Sequence, residues 1–275
     1  MNILSIQSEV VYGHVGQGAA RFALQRLGHE VWALPTVLFS SHAGYPHVEG
    51  EAISADLLRR LLDGLEGNGW LGRGDAVLSG YLGSADQADV VADAVSRMKH
   101  LNPQALYCLD PVLGDDGRAY ASPGVAEAIA RQLLPIADIV TPNAFELKQL
   151  AALPVRDRAD AIVAAKRLGR PLVLVTSVCE GDDRIGVVGV SKDESWFAST
   201  SLLADVPHGA GDLFAALFLT EYSKRTKLAD ALRRSVNSIF HILAASTGSG
   251  ELLLIEEQNA LFDVPSVASL RLEEV

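Results

Sequence analysis

The segment Pro207-His208-Gly209-Ala210-Gly211-Asp212-Leu213-Phe214 carries the densest chemistry in the chain. Two glycines one residue apart let the backbone turn tightly and bring several N–H groups together. The apolar stripe that follows makes a helix, and free amides with the positive dipole end make its start an anion site. Asp212 sits in the first turn beside that site. It either caps the helix or serves as a base toward a hydroxyl that attacks a phosphoryl group.

Two further segments put oxygen ligands at strand ends. In Leu109-Asp110-Pro111-Val112-Leu113-Gly114-Asp115 a buried strand ends in Asp and turns at Pro and Gly. Asp110 and Asp115 either hold a hard cation or simply form the turn. In Thr141-Pro142-Asn143-Ala144-Phe145-Glu146, Asn143 and Glu146 share one helical face, which is also the spacing of a capping box. Alone, that segment reads as a cap. Coincidence changes the reading: two strand ends carry oxygen ligands, and a glycine-led helix start follows them.

Other motifs exclude chemistries. The glycines Gly13, Gly16 and Gly18 run G-x-x-G-x-G, and the second strand ends in Leu34-Pro35-Thr36 without an acidic residue for a ribose. A nicotinamide-binding site is therefore poorly supported. There is no G-x-x-x-x-G-K-[ST] and no G-x-S-x-G, so neither a P-loop nor an α/β-hydrolase nucleophile is present. The seven histidines lack H-x-x-x-H spacing and the two cysteines lack a CxxC pair, which argues against zinc and a disulfide scaffold. Cys108, in Ala105-Leu106-Tyr107-Cys108-Leu109, reads as a buried structural thiol. His14 and His42 lie in loops and either line a pocket or bond to backbone. Tyr81, in the turn Ser79-Gly80-Tyr81-Leu82-Gly83-Ser84, either stacks on a flat ring or packs its own loop.

These residues need a scaffold, and the hydrophobic pattern supplies one. Strands are expected at 2–6, 30–37, 75–79, 105–110, 138–141 and 171–176, several nearly continuous in Val, Ile and Leu. Amphipathic helices lie between them. One carries Ala88, Val91, Ala92, Val95 and Met98 behind a capping-box spacing at Ser84–Gln87. Another starts at Ser122-Pro123, and a third runs from Asp157 to a glycine stop at Gly169. Runs 185–190 and 195–199 read as an antiparallel hairpin at one edge. Helix follows from Asp205 to about Thr247, with a last helix over 256–262. Alternating β and α segments predict an α/β fold: a mostly parallel central sheet with helices on both faces. With no repeat or composition break, residues 1–275 read as one domain.

Composition bounds the partners. The chain has 275 residues, 49% hydrophobic and 21% charged, with a net charge of −11. That composition is globular, and its charge disfavours nucleic acid and anionic membranes. Met1-Asn2-Ile3-Leu4-Ser5-Ile6 reads as a strand rather than a signal peptide, and no apolar run approaches the length of a membrane span. A cytoplasmic setting is the expectation.

Taken together, the motifs resemble the pyridoxal kinase family of the ribokinase-like superfamily. The matching stretches are Ile6-Gln7-Ser8, Val11-Tyr12-Gly13-His14-Val15-Gly16, Phe39-Ser40-Ser41-His42, Ser79-Gly80-Tyr81-Leu82-Gly83, Asp110–Asp115, Thr141–Leu147, Thr176-Ser177 and Gly209–Phe214. They occur in the family's order and reach to about Leu261. The Gly-x-Gly-Asp element indicates only the superfamily; the Gln-Ser and Ser-Gly-Tyr-Leu-Gly segments are more specific. The resemblance implies a ribokinase-like fold and ATP-dependent phosphorylation of the 5′-hydroxymethyl group of pyridoxal, pyridoxamine or pyridoxine in vitamin B6 salvage. It implies Asp212 as the base and the Gly209, Ala210 and Gly211 amides as the anion hole. Asp115 and Glu146 would serve Mg²⁺. Asp110, Thr141 and Thr176 would lie near a monovalent cation, K⁺ or Na⁺, and Asp110, Asn143, Glu146, Thr176 and Ser177 near the ATP phosphates. Ser8, Val15, His42, Ala43 and Tyr81 would meet the vitamer, and the loop Asp115 to Pro123 resembles the family's flap over ATP. A homodimer is also implied.

Three positions depart from the family. Ala43 stands where Thr is usual, which removes one polar contact worth about 1 kcal/mol. Gln17 replaces Asn, and Ala210 replaces Thr or Val. A hydroxymethylpyrimidine kinase of the same superfamily is the near alternative. A non-catalytic vitamer sensor or carrier is another, opposed by the intact Asp212, Glu146 and Asp115. A Rossmann oxidoreductase is the remote one.

Overall fold

Runs rich in Val, Ile and Leu form the inner strands, and alternate residues of each strand feed opposite cores. A computed structural model describes residues 1–115, 118–262 and 265–275. Its elements are β1 (Asn2–Val10), α1 (Gln17–Arg26), β2 (Glu30–Phe39), β3 (Gly50–Ala52), α2 (Ala55–Gly67), β4 (Ala76–Ser79), α3 (Gln87–Leu101), β5 (Leu106–Leu109), β6 (Gly114–Asp115) and β7 (Arg118–Ala119). They continue with α4 (Pro123–Ala128), β8 (Ile139–Val140), α5 (Ala144–Ala151), α6 (Arg158–Leu168), β9 (Leu172–Glu180), β10 (Arg184–Ser191), β11 (Ser195–Ser201), α7 (Ala210–Ser223), α8 (Leu228–Ser246) and β12 (Arg271–Glu274).

Among the described residues, ten strands form one sheet in the order β12-β11-β10-β9-β8-β5-β4-β1-β2-β3. The six strands from β9 to β2 pair in parallel, as expected. The predicted hairpin is β10–β11, antiparallel through seven residue pairs. It is not the outermost feature, because β12 pairs with β11 and β3 makes a second antiparallel edge on β2. Ile3, Leu78 and Cys108 pack toward α1, α7 and α8, while Leu4, Val77 and Tyr107 pack toward α2, α3 and α4. A third cluster joins α5 and α6 to β9, β10 and Phe197.

Several local expectations change. β1 runs on to Val10, so Gln7 and Ser8 lie on a strand rather than in a loop; the Val11 and Tyr12 amides extend its pairing to Phe39 and Ser40. The helical stretch after Asp205 is two helices, broken at Arg225, whose φ is +57°. Residues 256–262 tighten only into a 3₁₀ turn at Gln258–Leu261. Ser84 does not cap α3: its hydroxyl turns to Asp86, and the helix starts without a side-chain cap. The stop at Gly169 is as expected, with Gly169 left-handed and Asp157 capping the start of α6.

Candidate active site

The parallel strands end along one edge, and the loops there carry the chemistry. α7 is driven by an apolar run, Leu213 to Phe218, that is buried throughout. Gly209 caps it with φ +95°, and a Cβ at that position would collide with the His14 carbonyl oxygen. Gly16, at φ +53°, is held equally close to Ser8: a Cβ would strike both its carbonyl and its hydroxyl oxygen. The Gly16 backbone N–H lies near the Asp212 carboxyl and favours its charged form. Burial pushes the Asp212 carboxyl up to about 6, against hydrogen bonds from the Gly16 amide and its own. Ser8, Gly16 and Asp212 thus meet at one point, although they lie far apart in sequence.

The second group of residues surrounds Asp110, just past the end of β5. A Cβ on Gly211 would lie 3.9 Å from Asp110 Oδ2, so the carboxylate faces the start of α7. The Thr141 hydroxyl donates to Asp110 Oδ1 at 3.0 Å. Burial, and then the charges of Glu146 and Asp212, hold the Asp110 carboxyl well above its ordinary range. Glu146 is 3% exposed and completes a true capping box with Asn143. Its Oε1 also accepts from the Leu113 amide at 2.7 Å, and its Oε2 from the Asn143 amide at 2.9 Å. Burial raises its carboxyl to about 7 despite those amides. Asn143 donates to the Gly114 carbonyl at 2.8 Å and bridges to Thr176 on β9. Ser177 takes a left-handed φ of +57° within the stretch where β9 shifts register against β10, a bulge that sets Thr176 and Ser177 opposite Val187.

The donor set fits a hard cation. Asp110, Asp115, Glu146, Thr141 and Thr176 offer only oxygen, and the carboxylates repel one another in a buried setting. Among the described residues no three carboxylates, histidines or cysteines close on a metal unaided. That suits Mg²⁺, which takes one or two carboxylates and completes its shell with water and substrate phosphates. In the loop expected to form a flap, β6 pairs with β7, while Asp116 and Gly117 lie outside the described residues.

Of the residues expected to meet the vitamer, Ser8 stands against Gly16. Val15 is buried, and Ala43 is exposed. Tyr81 is held by its carbonyl, which accepts from Thr36 Oγ1 at 2.6 Å, and burial raises its phenol. Gln7, Ser5 and Gln17 form a buried hydrogen-bonded chain beneath them, which gives Gln17 a supporting role. Both nitrogens of His42 are engaged: the Gly44 amide donates to Nδ1 at 3.1 Å, and Nε2 lies 3.2 Å from Glu251 Oε1. What His42 offers a ligand is ring surface. His14 contributes its backbone, while its Nδ1 is buried and, among the described residues, without a hydrogen-bond partner. Sequence reasoning missed Tyr45, His208 and Glu251. The His208 and Tyr45 rings each lie 4.6 Å from His42, and no spacing in the sequence signals this contact.

Comparison with known proteins gives the same picture. Residues 73–253 match the phosphomethylpyrimidine kinase family. The chain is 43% identical to a pyridoxal kinase PdxY of Corynebacterium diphtheriae, over 98% of this chain and 100% of that one. It is 42% identical to a pyridoxal kinase PdxY of Rubrobacter xylanophilus, over 96% of this chain and 95% of the relative. Among solved structures, pyridoxal kinase from Entamoeba histolytica superposes with a TM-score of 0.93 at 27% identity, covering 100% of this chain and 99% of that one. Pyridoxal kinase from Leishmania donovani in complex with ADP and pyridoxamine superposes with a TM-score of 0.92 at 30% identity, covering 99% of both chains. A parallel sheet whose carboxyl edge gathers Asp110, Glu146 and Asp212, and a likeness that spans the whole chain, have one reading: this protein belongs to the phosphomethylpyrimidine kinase family and, within it, to the pyridoxal kinases.

Proposed function

We propose that residues 1–275 act as one kinase domain that transfers the γ-phosphoryl group of ATP to the 5′-hydroxymethyl group of pyridoxal or a related B6 vitamer. The observation that carries this is the meeting of Ser8, Gly16 and Asp212. A ring held at Ser8 brings its hydroxymethyl group toward the carboxylate that the Gly16 amide orients. Asp212 takes the hydroxyl proton, and the Gly209, Ala210 and Gly211 amides receive the transferring phosphoryl group. Phosphoryl transfer passes through a loose transition state, so positioning and charge neutralisation do most of the work. Asp110, Asn143, Glu146, Thr176 and Ser177 face the ATP phosphates. Asp115 and Glu146 would hold Mg²⁺, and Asp110, Thr141 and Thr176 a monovalent cation, K⁺ or Na⁺; such ions neutralise phosphate charge when bound. Val15, His42, Ala43 and Tyr81 shape the vitamer side. The whole-length similarity to pyridoxal kinases and the ADP and vitamer complexes of the Leishmania donovani enzyme support the substrate pair. The reading includes a homodimer acting in the cytoplasm. No helix among the described residues is long and apolar enough to cross a membrane.

The match of residues 73–253 to the phosphomethylpyrimidine kinase family favours a second reading, hydroxymethylpyrimidine as the acceptor. One experiment separates the two. Wild type and Asp212→Asn are assayed with Mg-ATP and K⁺ on pyridoxal and on hydroxymethylpyrimidine. Turnover on pyridoxal that falls by about 10²–10⁴-fold in the variant is the expected result. Turnover on the pyrimidine alone keeps the mechanism and moves the substrate. Vitamer binding without turnover on either makes the chain a sensor or carrier.

A further inference from the structure

Three loops from distant parts of the chain converge on one carboxylate outside the phosphate cluster. Glu251 follows α8 and precedes Leu252 and Leu254, both fully buried against the α7–α8 side of the sheet. The Ser246 hydroxyl accepts from the Leu253 amide at 2.9 Å. These anchors hold the segment firmly, with the Glu251 side chain directed at the loops beyond the strand ends. Glu251 Oε1 accepts from the Tyr45 hydroxyl at 2.7 Å and from His42 Nε2 at 3.2 Å. Glu251 Oε2 accepts from the His14 amide at 2.9 Å. The Gly44 amide donates to His42 Nδ1, which leaves Nε2 turned toward Glu251. Within the same turn the Tyr45 amide donates to the His42 carbonyl at 3.1 Å.

The pattern has a clear geometric meaning. Both residues that flank Ala43-Gly44 end on one carboxylate oxygen, and the residue before Val15 ends on the other. Ala43 and Val15 are two of the positions proposed to meet the substrate ring. We propose that Glu251 is a positioning residue for the ring substrate: it clamps the 42–45 turn and the His14–Val15 step at a fixed spacing, so that Ala43 and Val15 present a wall of constant shape. This inference rests on the kinase reading above. Burial alone would raise the Glu251 carboxyl. The His14 amide, the Tyr45 hydroxyl and the His42 ring together outweigh it and hold the group below its ordinary value. The clamp therefore has a charged acceptor, which strengthens each bond it receives. It joins loop to loop rather than core to core, so its loss should loosen the pocket and leave the folded body standing.

The test is steady-state kinetics of Glu251→Gln and Tyr45→Phe against wild type, with the ring substrate and ATP varied separately, and thermal unfolding alongside. Glu251→Gln removes the charge and half of the acceptor capacity. Its KM for the ring substrate should rise about tenfold, with kcat and the ATP KM within about twofold, the signature of lost ring binding alone. Tyr45→Phe should give a smaller rise, about threefold. In a His42→Ala background, Glu251→Gln should add less than about twofold, because the two residues act as one unit. An unchanged ring-substrate KM, a parallel rise in both KM values, or fully additive effects overturns the inference. If Glu251→Gln does not fold, Tyr45→Phe decides: an unchanged KM overturns it. Wild type inactive on both pyridoxal and hydroxymethylpyrimidine removes the kinase reading and the inference with it. An active wild type with unperturbed variants removes the inference alone.

Discussion

At the scale of single residues, the site depends on positions where a side chain would be too much. Gly16 is the sharpest case. Alanine there must adopt φ +53° and set its Cβ against the Ser8 carbonyl and hydroxyl. The backbone has to move, and the amide that orients Asp212 moves with it. Gly16→Ala should lower kcat/KM about a hundredfold, the typical result of a displacement near 1 Å. Stopped-assay kinetics check this, and full activity would show that the Gly16–Asp212 contact is dispensable. Residue chemistry was also what the sequence displayed best. Asp110, Asn143, Glu146 and Asp212 stand out because turn and cap chemistry requires those residue types where strands end and helices begin. Tyr45, His208 and Glu251 do not stand out. They meet only when three loops fold together, and the partners of Glu251 lie 206, 209 and 237 residues away.

At the scale of elements, one short helix supports the Asp110–Glu146 side of the site. α5 has eight residues, and Asn143 both caps it and reaches the Gly114 carbonyl of the flap's first strand. Asn143→Ala removes the acceptor for the Glu146 amide and that cross-link together. It should cost about 1–2 kcal/mol of stability. The urea midpoint measures it, and an unshifted midpoint would mean that neighbouring groups replace the cap. Elements differ in how well sequence reveals them. The inner strands are visible because burial on both faces demands continuous apolar runs. α1 is not, because its buried positions are mostly small alanines and its start follows glycine without a capping side chain. β12 is short, polar and mostly exposed, so only its pairing to β11 defines it.

At the scale of the whole molecule, the opposite end of the sheet carries its own pH dependence. His29 lies between the Met1 ammonium and Thr220, with Nδ1 3.2 Å from the former and Nε2 3.1 Å from the latter hydroxyl. Burial, then the positive charges at Met1 and Lys224, lower its pKa to about 4 from the ordinary 6.5. The unfolded chain therefore binds this proton first as pH falls. The contribution of neutral His29 is complete above pH 6.5 and is lost progressively down to about 4. Unfolding midpoints across that interval should rise with pH, and His29→Gln should flatten the part of the slope that belongs to this residue. An unchanged slope would place the dependence elsewhere.

The contact between Gly16 and Asp212 also has a consequence for the order in which the protein is made. Ser8 and Gly16 leave the ribosome well before Asp212 and Glu251, which follow about two hundred residues later. A nascent chain that ends before α7 has a sheet edge without Asp212, without the Gly209–Gly211 turn and with nothing behind the 42–45 turn. Parallel strands already close late, because their contacts span long loops. Substrate binding therefore cannot guide assembly of the sheet during synthesis, and ligand stabilisation begins only once α7 and the Glu251 segment have been made.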